Sequence, residues 1–229
     1  MNALAFAFAG HELFACGSGA LWWPDERLLC VSDLHLGKSE RMARRGGALL
    51  PPYETEDTLN RLGAEVERLG PRVLVALGDS FDDMGAAEAV ADGLAERFLR
   101  LLAGRRWIWI AGNHDPAPIG VGGEHLAEAR LRGITFRHEA VPVAGPEVSG
   151  HYHPKTAVLA RGRSISRPAF LVDAERLILP AFGTYTGGLR STEAVLDGLM
   201  GPGASAILTG PQPFRIPMPR FAPPSKDIA

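Results

Sequence analysis

The feature that most constrains this chain is a set of short, continuous apolar runs separated by helical stripes. Three of the runs cover residues 28–32, 73–77 and 107–111. Continuous runs of this length, bounded by turn residues, are typical of strands buried on both faces of a sheet. Apolar residues at spacings of three and four predict helices over residues 59–69 and 90–102. Strand, helix, strand, helix, strand in this order predicts an α/β protein with a largely parallel sheet.

The segments on either side of this unit have a different pattern of apolar residues. Before it, residues 3–9 and 13–16 flank a turn and predict an opening β-hairpin. After it, short apolar runs dominate and predict a second, more mixed sheet packed on the first. These runs cover residues 134–137, 156–160, 169–172, 177–179 and 206–208. We expect one domain over residues 1–220 and a loose tail over residues 221–229, which contain Pro-Pro-Ser-Lys-Asp.

Polar clusters follow the three central strands. They read Asp-Leu-His at 33–35, Gly-Asp at 78–79 and Gly-Asn-His-Asp at 112–115. Ligands of open α/β sheets bind beyond the carboxyl ends of the strands, so we expect these clusters to converge. A spacing of two along an extended chain would place Asp33 and His35 on one face, where both can reach a single ion.

A fourth cluster, Gly-His-Tyr-His-Pro at 150–154, repeats the spacing of two, and His138 precedes it. A lone histidine or one Asp-x-His is more often an ordinary core or surface feature than a metal ligand. Four such clusters in order, each at a predicted strand end or turn, indicate a site. Mixed carboxylate, imidazole and amide ligands suit Mn²⁺, Fe or Zn²⁺ better than Ca²⁺ or a thiolate-bound zinc.

This series of motifs resembles the calcineurin-like binuclear metallophosphoesterases. The longer strings ALWWPDERLLCVSDLHLGK, ALGDSFDD and LILPAFGTYTGGL resemble one branch of that superfamily, the bacterial ligase-associated DNA-damage-response endonucleases. Genes of this branch lie near those of a DNA ligase and a helicase, which are therefore implied as functional partners. The resemblance covers residues 10–215 and implies a four-layer αββα sandwich, with two mixed sheets flanked by helices.

The resemblance also implies two divalent metal ions and seven ligands. These are Asp33, His35 and His153 for the first ion, Asn113, His138 and His151 for the second, and Asp79 bridging both. His114 would face the substrate phosphate and protonate the leaving oxygen, and Asp115 would orient His114. Asp82 stands near the place where the branch is expected to carry a histidine, and its role is open. We expect Asp83 to cap a helix that begins near Ala86.

The implied chemistry fits a phosphodiester, which is anionic and repels hydroxide. Two metal ions neutralise its oxygens and lower the pKa of a bridging water, while an imidazole of near-neutral pKa can donate a proton to the leaving group. The favoured function is a Mn²⁺-dependent DNA endonuclease acting on single-stranded or unpaired DNA in repair. A phosphodiesterase acting on a nucleotide or another small phosphoester is the alternative. A non-catalytic metal-binding scaffold is disfavoured, because His114 and the full ligand set are intact.

Basic and polar residues near these motifs are candidates for substrate binding. Arg41, Arg44 and Arg45 follow the first cluster, and phosphates beside a scissile bond would favour such a flank. A solvated arginine-rich surface is the other reading. In the loop at 183–188, Thr184 can approach a phosphate and Tyr185 can stack on a base, unless the loop is only a turn between strands. These residues define the expected DNA contacts.

Composition limits the remaining classes. The formal net charge of −2 argues against a protein that coats nucleic acid by bulk charge, although it allows a local basic groove. Cys16 and Cys30 form no Cys-x-x-Cys pair, so we expect two buried, free thiols. No apolar stretch approaches about 20 residues, the length that a membrane-spanning helix needs. We therefore expect a soluble, cytoplasmic protein.

Overall fold

A first sheet carries the predicted hairpin and the three predicted central strands. The computed structural model describes residues 2–47, 49–116, 122–142, 145–160 and 162–220, so the expected tail at 221–229 lies outside the described residues. The seven strands of this sheet, adjacent in chain order, are β1 (Ala3–Phe8), β2 (His11–Cys16), β3 (Leu21–Trp23), β4 (Leu28–Val31), β5 (Val73–Ala76), β6 (Arg106–Ile110) and β7 (Glu124–Leu126). Strands β1 to β4 pair antiparallel, and β4 to β7 pair parallel. The predicted parallel unit is confirmed.

Helices in the described part of the chain begin and end at recognisable signals. They are α1 (Lys38–Arg44), α2 (Glu54–Leu69), α3 (Met84–Leu102) and α4 (Ala194–Leu199). Helix α2 ends at Gly70, which has a φ of 58° and suits the left-handed geometry that closes a helix. Helix α3 begins after Asp83, whose carboxylate accepts a hydrogen bond from the Ala86 amide at 2.7 Å. The predicted cap at Asp83 is therefore confirmed.

The second sheet is mixed, as expected. Its strands are β8 (Glu128–Leu131), β9 (Ile134–Arg137), β10 (Glu147–Ser149), β11 (Lys155–Ala160), β12 (Arg163–Val172), β13 (Arg176–Ile178), β14 (Ser205–Leu208) and β15 (Phe214–Pro217). The strand order is β15-β14-β12-β13-β10-β9-β8, and β11 pairs only with β12 among the described strands. Strands β9, β10 and β13 run parallel to one another. Their carboxyl ends therefore meet at one edge.

Three apolar layers hold the fold together. Leu59 and Leu62 of α2 and Phe98 of α3 pack on the outer face of the first sheet with Trp107 and Trp109 of β6. Val90 and Leu94 of the predicted stripe lie outside the described side chains. These contacts bury one stripe of each helix, which is how an amphipathic helix is stabilised on a sheet.

The other two layers complete the sandwich. Between the sheets, Val75 and Ile108 pack against Phe170, Leu177 and Ile207 of the second sheet. On the far side of the second sheet, α4 contributes a buried apolar cluster that includes Leu196, Met200, Leu171 and Ala206. Helices, sheet, sheet and helix thus stack in four layers. The predicted αββα fold is confirmed.

The cysteines occupy core positions of the first sheet. Cys16 and Cys30 are both free and buried. Burial raises the pKa of the Cys16 thiol to about 11, so it stays protonated at neutral pH. No helix among the described residues is long and apolar enough to cross a membrane.

Candidate metal centre

Carboxyl ends of strands from both sheets meet at the candidate site. On the first sheet, β4, β5 and β6 lead into the segments that hold Asp33, Asp79 and Asn113. On the second sheet, β9 is followed by His138, and β10 is followed by the segment of His151 and His153. The two sheets therefore contribute different ligand chemistry, since the carboxylates come from the first and three of the imidazoles come from the second.

The first cluster contains Asp33, His35 and His153. One side-chain N or O atom of each lies within 4.8 Å of the others. His153 Nε2 is 3.3 Å from Asp33 Oδ1, and His35 Nε2 is 3.4 Å from His153 Nε2. The side chains of Asp33 and His35 are buried, and His153 is partly exposed. This trio is the set expected to bind the first metal ion.

The second cluster contains Asp79, His138 and His151, again within 4.8 Å of one another. His138 Nε2 lies 3.1 Å from His151 Nδ1 and 3.5 Å from Asp79 Oδ2. Asn113 completes the group, since its Oδ1 is 2.9 Å from His138 Nε2. This is the set expected to bind the second ion.

Asp79 lies between the two clusters. Its Oδ2 atom is 4.0 Å from His35 Nε2 in the first cluster and 3.5 Å from His138 Nε2 in the second. It is also 4.0 Å from Nε2 of His114, which borders both groups. A carboxylate in this position can contact an ion in either cluster.

The backbone at five of the proposed ligands is left-handed, whereas the spacing of two had predicted an extended chain. The φ angles are 52° at Asp33, 46° at His35, 46° at Asp79, 69° at His151 and 46° at His153. Spacing along an extended chain is therefore not what brings these residues together. A non-glycine residue in this region costs about 1–3 kcal/mol, and such strain concentrates at functional sites. Tight turns after the strands direct the side chains instead.

Hydrogen bonds determine which nitrogen of two imidazoles faces the clusters. His138 Nδ1 donates to the carbonyl of Leu77 at 2.8 Å, and His35 Nδ1 donates to Asp82 Oδ1 at 2.8 Å. Each bond leaves Nε2 directed at its cluster, as is usual for histidine ligands of metals. Gly78 permits the first contact, because a Cβ there would lie 2.6 Å from His138 Nδ1.

Asp82, whose role the sequence left open, is a buried hub behind the first cluster. One carboxylate oxygen accepts from His35, and the other accepts from Arg41 Nε at 2.5 Å. Its main-chain carbonyl accepts from His114 Nδ1 at 2.8 Å. Burial raises the pKa of Asp82, but His35 and the charges of Lys38 and Arg41 outweigh that effect and lower it. Asp82 therefore stays ionised and orients His35.

The carboxylate of Asp115, expected to orient His114, is hydrogen-bonded to main-chain amides and not to the His114 ring. Its carboxylate accepts hydrogen bonds at 2.7–3.1 Å from four main-chain amides, those of Asp79, Ser80, Phe81 and Gly112. Burial, reinforced by the charge of Asp79, raises the pKa of Asp115 to about 6 despite these bonds. Asp115 thus shapes the turn that presents Asp79, and the Asp82 carbonyl orients His114.

In the second cluster, Asp79 and His138 each favour the charged form of the other. Burial raises the pKa of Asp79, but the hydrogen bond and charge of His138 and the amide of His114 outweigh burial and hold it well below its usual range. Burial lowers the pKa of His138, but the hydrogen bond to Asp79 and the charges of Asp33 and Asp79 raise it to about 9. A cation bound here would replace the His138 proton, because a ligating imidazole is neutral.

The ligand atoms fit a small divalent cation. Atoms bound to one ion at about 2.1 Å in adjacent octahedral positions lie about 3 Å apart. His138 Nε2 is 2.9 Å from Asn113 Oδ1 and 3.1 Å from His151 Nδ1. When His138 is neutral, its one N–H is Nδ1–H, which donates to the Leu77 carbonyl. The lone pair on Nε2 then faces two other acceptor atoms, Asn113 Oδ1 and His151 Nδ1, and a cation between the three would stabilise this arrangement.

The predicted substrate residues are largely engaged within the protein. Arg44 and Arg45 pair with Asp83 at 2.8 and 3.8 Å, and both arginines are exposed at the surface. Thr184 donates through Oγ1 to Asp57 at 2.6 Å, which ties its loop to α2. Tyr185 is partly exposed in that loop.

Glu139 and Tyr152 border the second cluster and were not anticipated from sequence. Glu139 Oε1 is 3.8 Å from His151 Nε2 and accepts a hydrogen bond from the Tyr152 hydroxyl at 3.3 Å. Their adjacency to His138 and His151 in the chain was the one available signal. A carboxylate at this distance favours the His151 orientation in which Nδ1 faces the cluster.

Comparison with known proteins gives a family match and similar solved structures. The family model for calcineurin-like phosphoesterases matches residues 26–175. The crystal structure of Pseudomonas putida nuclease MPE is similar at 27% identity and a TM-score of 0.75, covering 93% of this chain and 100% of that chain. Yfce, a phosphoesterase from E. coli, has 11% identity and a TM-score of 0.40, covering 84% of this chain and 99% of that chain.

A search of the curated proteins gave no match. The likeness to a nuclease structure is consistent with the ligase-associated endonuclease branch that the sequence resembles. The family model spans well over half of the chain and includes the segments of all seven proposed ligands. From its fold, its motifs and this match, the chain belongs to the calcineurin-like phosphoesterase family.

Proposed function

We propose that this phosphoesterase is a Mn²⁺-dependent DNA endonuclease that cuts single-stranded or unpaired DNA during repair. The observation that carries the proposal is the pair of ligand clusters around Asp79 with His114 beside them. Similarity to a nuclease over nearly the whole chain supports a nucleic-acid substrate. By its resemblance to the ligase-associated branch, the enzyme would act in the cytoplasm together with a DNA ligase and a helicase.

The ligand roles follow from the clusters. In the proposal, one ion is held by Asp33, His35 and His153, the other by Asn113, His138 and His151, and Asp79 is shared. Two bound divalent ions would neutralise phosphate oxygens and make a water nucleophilic near neutral pH. The protein's own contribution is the fixed placement of these donors, which Asp82 and the Leu77 carbonyl maintain through the imidazole Nδ1 atoms.

His114 is the proposed general acid. The carbonyl of Asp82 accepts from its Nδ1, so Nε2 faces the clusters, 4.0 Å from Asp79. The imidazole is partly exposed and can therefore reach a bound phosphodiester. Protonated at Nε2, it would donate to the leaving oxygen. General acid catalysis contributes roughly 10²–10⁴-fold, so His114→Ala should lower kcat by that factor while metal stays bound.

The flanking residues would bind DNA on either side of the scissile phosphate. Arg41 uses Nε for Asp82, and Arg44 and Arg45 remain exposed enough to meet a phosphate while paired with Asp83. On the other flank, the loop of Thr184 and Tyr185 is tied to α2. The surface ion pairs of Arg44 and Arg45 with Asp83 are weak, so these arginines can exchange Asp83 for a DNA phosphate.

Nicking of circular single-stranded DNA in Mn²⁺ tests the proposal. We expect the wild-type protein to nick it and Asp79→Ala to abolish nicking. Glu96→Ala, which removes an exposed carboxylate on α3, is the matched control and should cut like wild type. A protein that hydrolyses bis(p-nitrophenyl) phosphate but leaves single-stranded, duplex, flap and loop DNA intact would instead be a phosphodiesterase of small phosphoesters.

Anomalous diffraction from manganese-soaked crystals tests the metal centre separately. Two peaks about 3.5–4 Å apart, one on each side of Asp79, are expected. One peak remote from Asp79 would contradict the binuclear site. Repeating the soak with iron and zinc, and assaying each metal, would identify the ion that supports cleavage.

A further inference from the structure

The loop at 183–188 is fixed to the backbone of two proposed metal ligands. The Gly183 amide donates to the Asp33 carbonyl at 3.1 Å, and a Cβ at Gly183 would lie 2.1 Å from the Leu34 carbonyl oxygen. At the other end, a Cβ at Gly188 would lie 2.1 Å from the carbonyl oxygen of His153. Both glycines are therefore needed for close approach, and the loop is placed beside the first cluster.

The same loop is fixed to the N-terminal part of α2. The Thr184 amide donates to Thr58 Oγ1 at 3.1 Å, and its hydroxyl donates to Asp57. Arg61 Nη2 donates to the carbonyl of Phe182 at 2.7 Å, and its guanidinium carbon lies 4.7 Å from the centre of the Phe182 ring. These contacts hold the start of α2 and the loop as one unit.

Two tyrosines face each other across this junction. The rings of Tyr53, at the start of α2, and Tyr185, in the loop, have centroids 5.5 Å apart and planes at 56°. Tyr53 is 53% exposed and Tyr185 is partly exposed, whereas the third tyrosine of the sequence, Tyr152, is buried. Tyr185 also has a φ of 62°, a backbone region that bulky residues rarely adopt.

We propose that Tyr53 and Tyr185 form a base-binding platform beside the metal centre, on which the base next to the scissile phosphate stacks. The proposal rests on the nuclease function above. It assigns a second requirement to the substrate, an unpaired base, because the face of a base inside a duplex is already stacked. Exposed aromatic faces on a fixed support are the usual means of holding single strands without sequence preference.

Cleavage kinetics with matched oligonucleotides test the platform. One substrate carries a natural base beside the cut site, and the other carries an abasic residue there. Tyr53→Leu and Tyr185→Leu should each raise KM for the natural substrate by roughly 5- to 100-fold, the effect of losing one stacked base. Both changes should raise KM much less for the abasic substrate, which has no base to stack at that position. Tyr53→Phe and Tyr185→Phe keep the ring and should restore the wild-type KM.

Fluorescence of 2-aminopurine at the same position reports stacking directly. It would not change if the two tyrosines only stabilised the fold. Stacking on tyrosine should quench the fluorophore with the wild-type protein and the phenylalanine variants, and quenching should be lost with the leucine variants. Thermal unfolding of every variant checks that the fold is retained. If a leucine variant unfolds, its phenylalanine partner and the abasic comparison still decide the outcome.

Different results separate this proposal from the nuclease function. Cleavage whose KM is the same for natural and abasic substrates, and is unchanged in the leucine variants, would overturn the platform and leave the nuclease standing. Tyrosine-dependent quenching by a protein that cuts no DNA would support the platform and overturn the nuclease. A rise in KM in the phenylalanine variants equal to that in the leucine variants would also overturn stacking.

Discussion

Asp82 shows what one buried residue does behind the proposed metal ligands. It accepts from His35 Nδ1 and Arg41 Nε with one oxygen each, and its carbonyl accepts from His114. One buried residue thereby orients a proposed metal ligand and the proposed general acid. The motif Asp-Ser-Phe-Asp-Asp shows that a carboxylate is available at this point, but not which partner it takes.

Replacing Asp82 tests this positioning role. Asp82→Asn should weaken Mn²⁺ binding by roughly 10–100-fold, the usual effect of losing the partner behind a histidine ligand. Isothermal titration calorimetry measures the change. Asp83→Asn is the matched control, since Asp83 contacts Arg44 and Arg45 but no ligand, and asparagine also caps helices well. Equal Mn²⁺ affinity in Asp82→Asn and wild type would contradict the role.

Asp115 supports the turn around Asp79 rather than the imidazole of His114. Asp115→Ala should lower the free energy of unfolding by about 3 kcal/mol or more, because the amides it leaves unpaired each cost about 1–3 kcal/mol when buried. Urea unfolding measures the loss. Asp173→Ala gives a comparison in a partly exposed turn between β12 and β13. Its carboxylate also accepts hydrogen bonds from main-chain amides, those of Glu175, Arg176 and Gly201. Unchanged stability in Asp115→Ala would refute the interpretation.

At the scale of elements, the loop at 183–188 shows how closely connections approach the site. Gly183 contacts the Leu34 carbonyl region, whereas a Cβ at Gly187 would meet no atom within 4 Å. Gly183→Ala should therefore destabilise the protein and displace Asp33, lowering metal affinity, and Gly187→Ala should do neither. Thermal unfolding and Mn²⁺ titration of the two variants make the comparison. Equal behaviour would show that the close approach has no consequence.

The helices and strands differ in how well the sequence predicts them. Strands β4, β5 and β6 and helix α2 were predicted to within a few residues, because continuous apolar runs and a strong 3.6-residue stripe identify buried strands and helices. Short elements such as β3, β7 and α4 were not predicted. They carry too few residues to show a period, and pairing with neighbouring strands or packing on a sheet decides whether they form.

At the scale of the molecule, the proposed metal centre joins the two sheets. Asp33 and Asp79 come from the first sheet, and His138, His151 and His153 come from the second. An ion bound between them is bound by the folded state and not by the separated sheets. Metal binding should therefore contribute to the stability of the whole sandwich.

Calorimetric unfolding with and without Mn²⁺ tests this coupling. At a free Mn²⁺ concentration of 100 times Kd, the folded state gains about 2.7 kcal/mol per site, so Tm should rise and return to its starting value with EDTA. Asp79→Ala should show a much smaller rise, and Glu96→Ala should match wild type. A Tm that does not respond to Mn²⁺ in the wild-type protein would contradict a cation site spanning both sheets.

The sequence by itself determined the layered α/β class, the identity of the clustered residues and the family resemblance, because apolar periodicity and short motifs are local properties of the chain. The tertiary structure alone decided which residues meet. It shows that Asp115 accepts hydrogen bonds from four amides and not from the His114 ring. It also shows that Asp82 accepts a hydrogen bond from His35 and that the ring of Tyr53 contacts that of Tyr185. Such contacts join distant segments, and left-handed turns rather than extended spacing direct the ligands. Their geometry depends on how the two sheets and their connections pack, which no local pattern encodes.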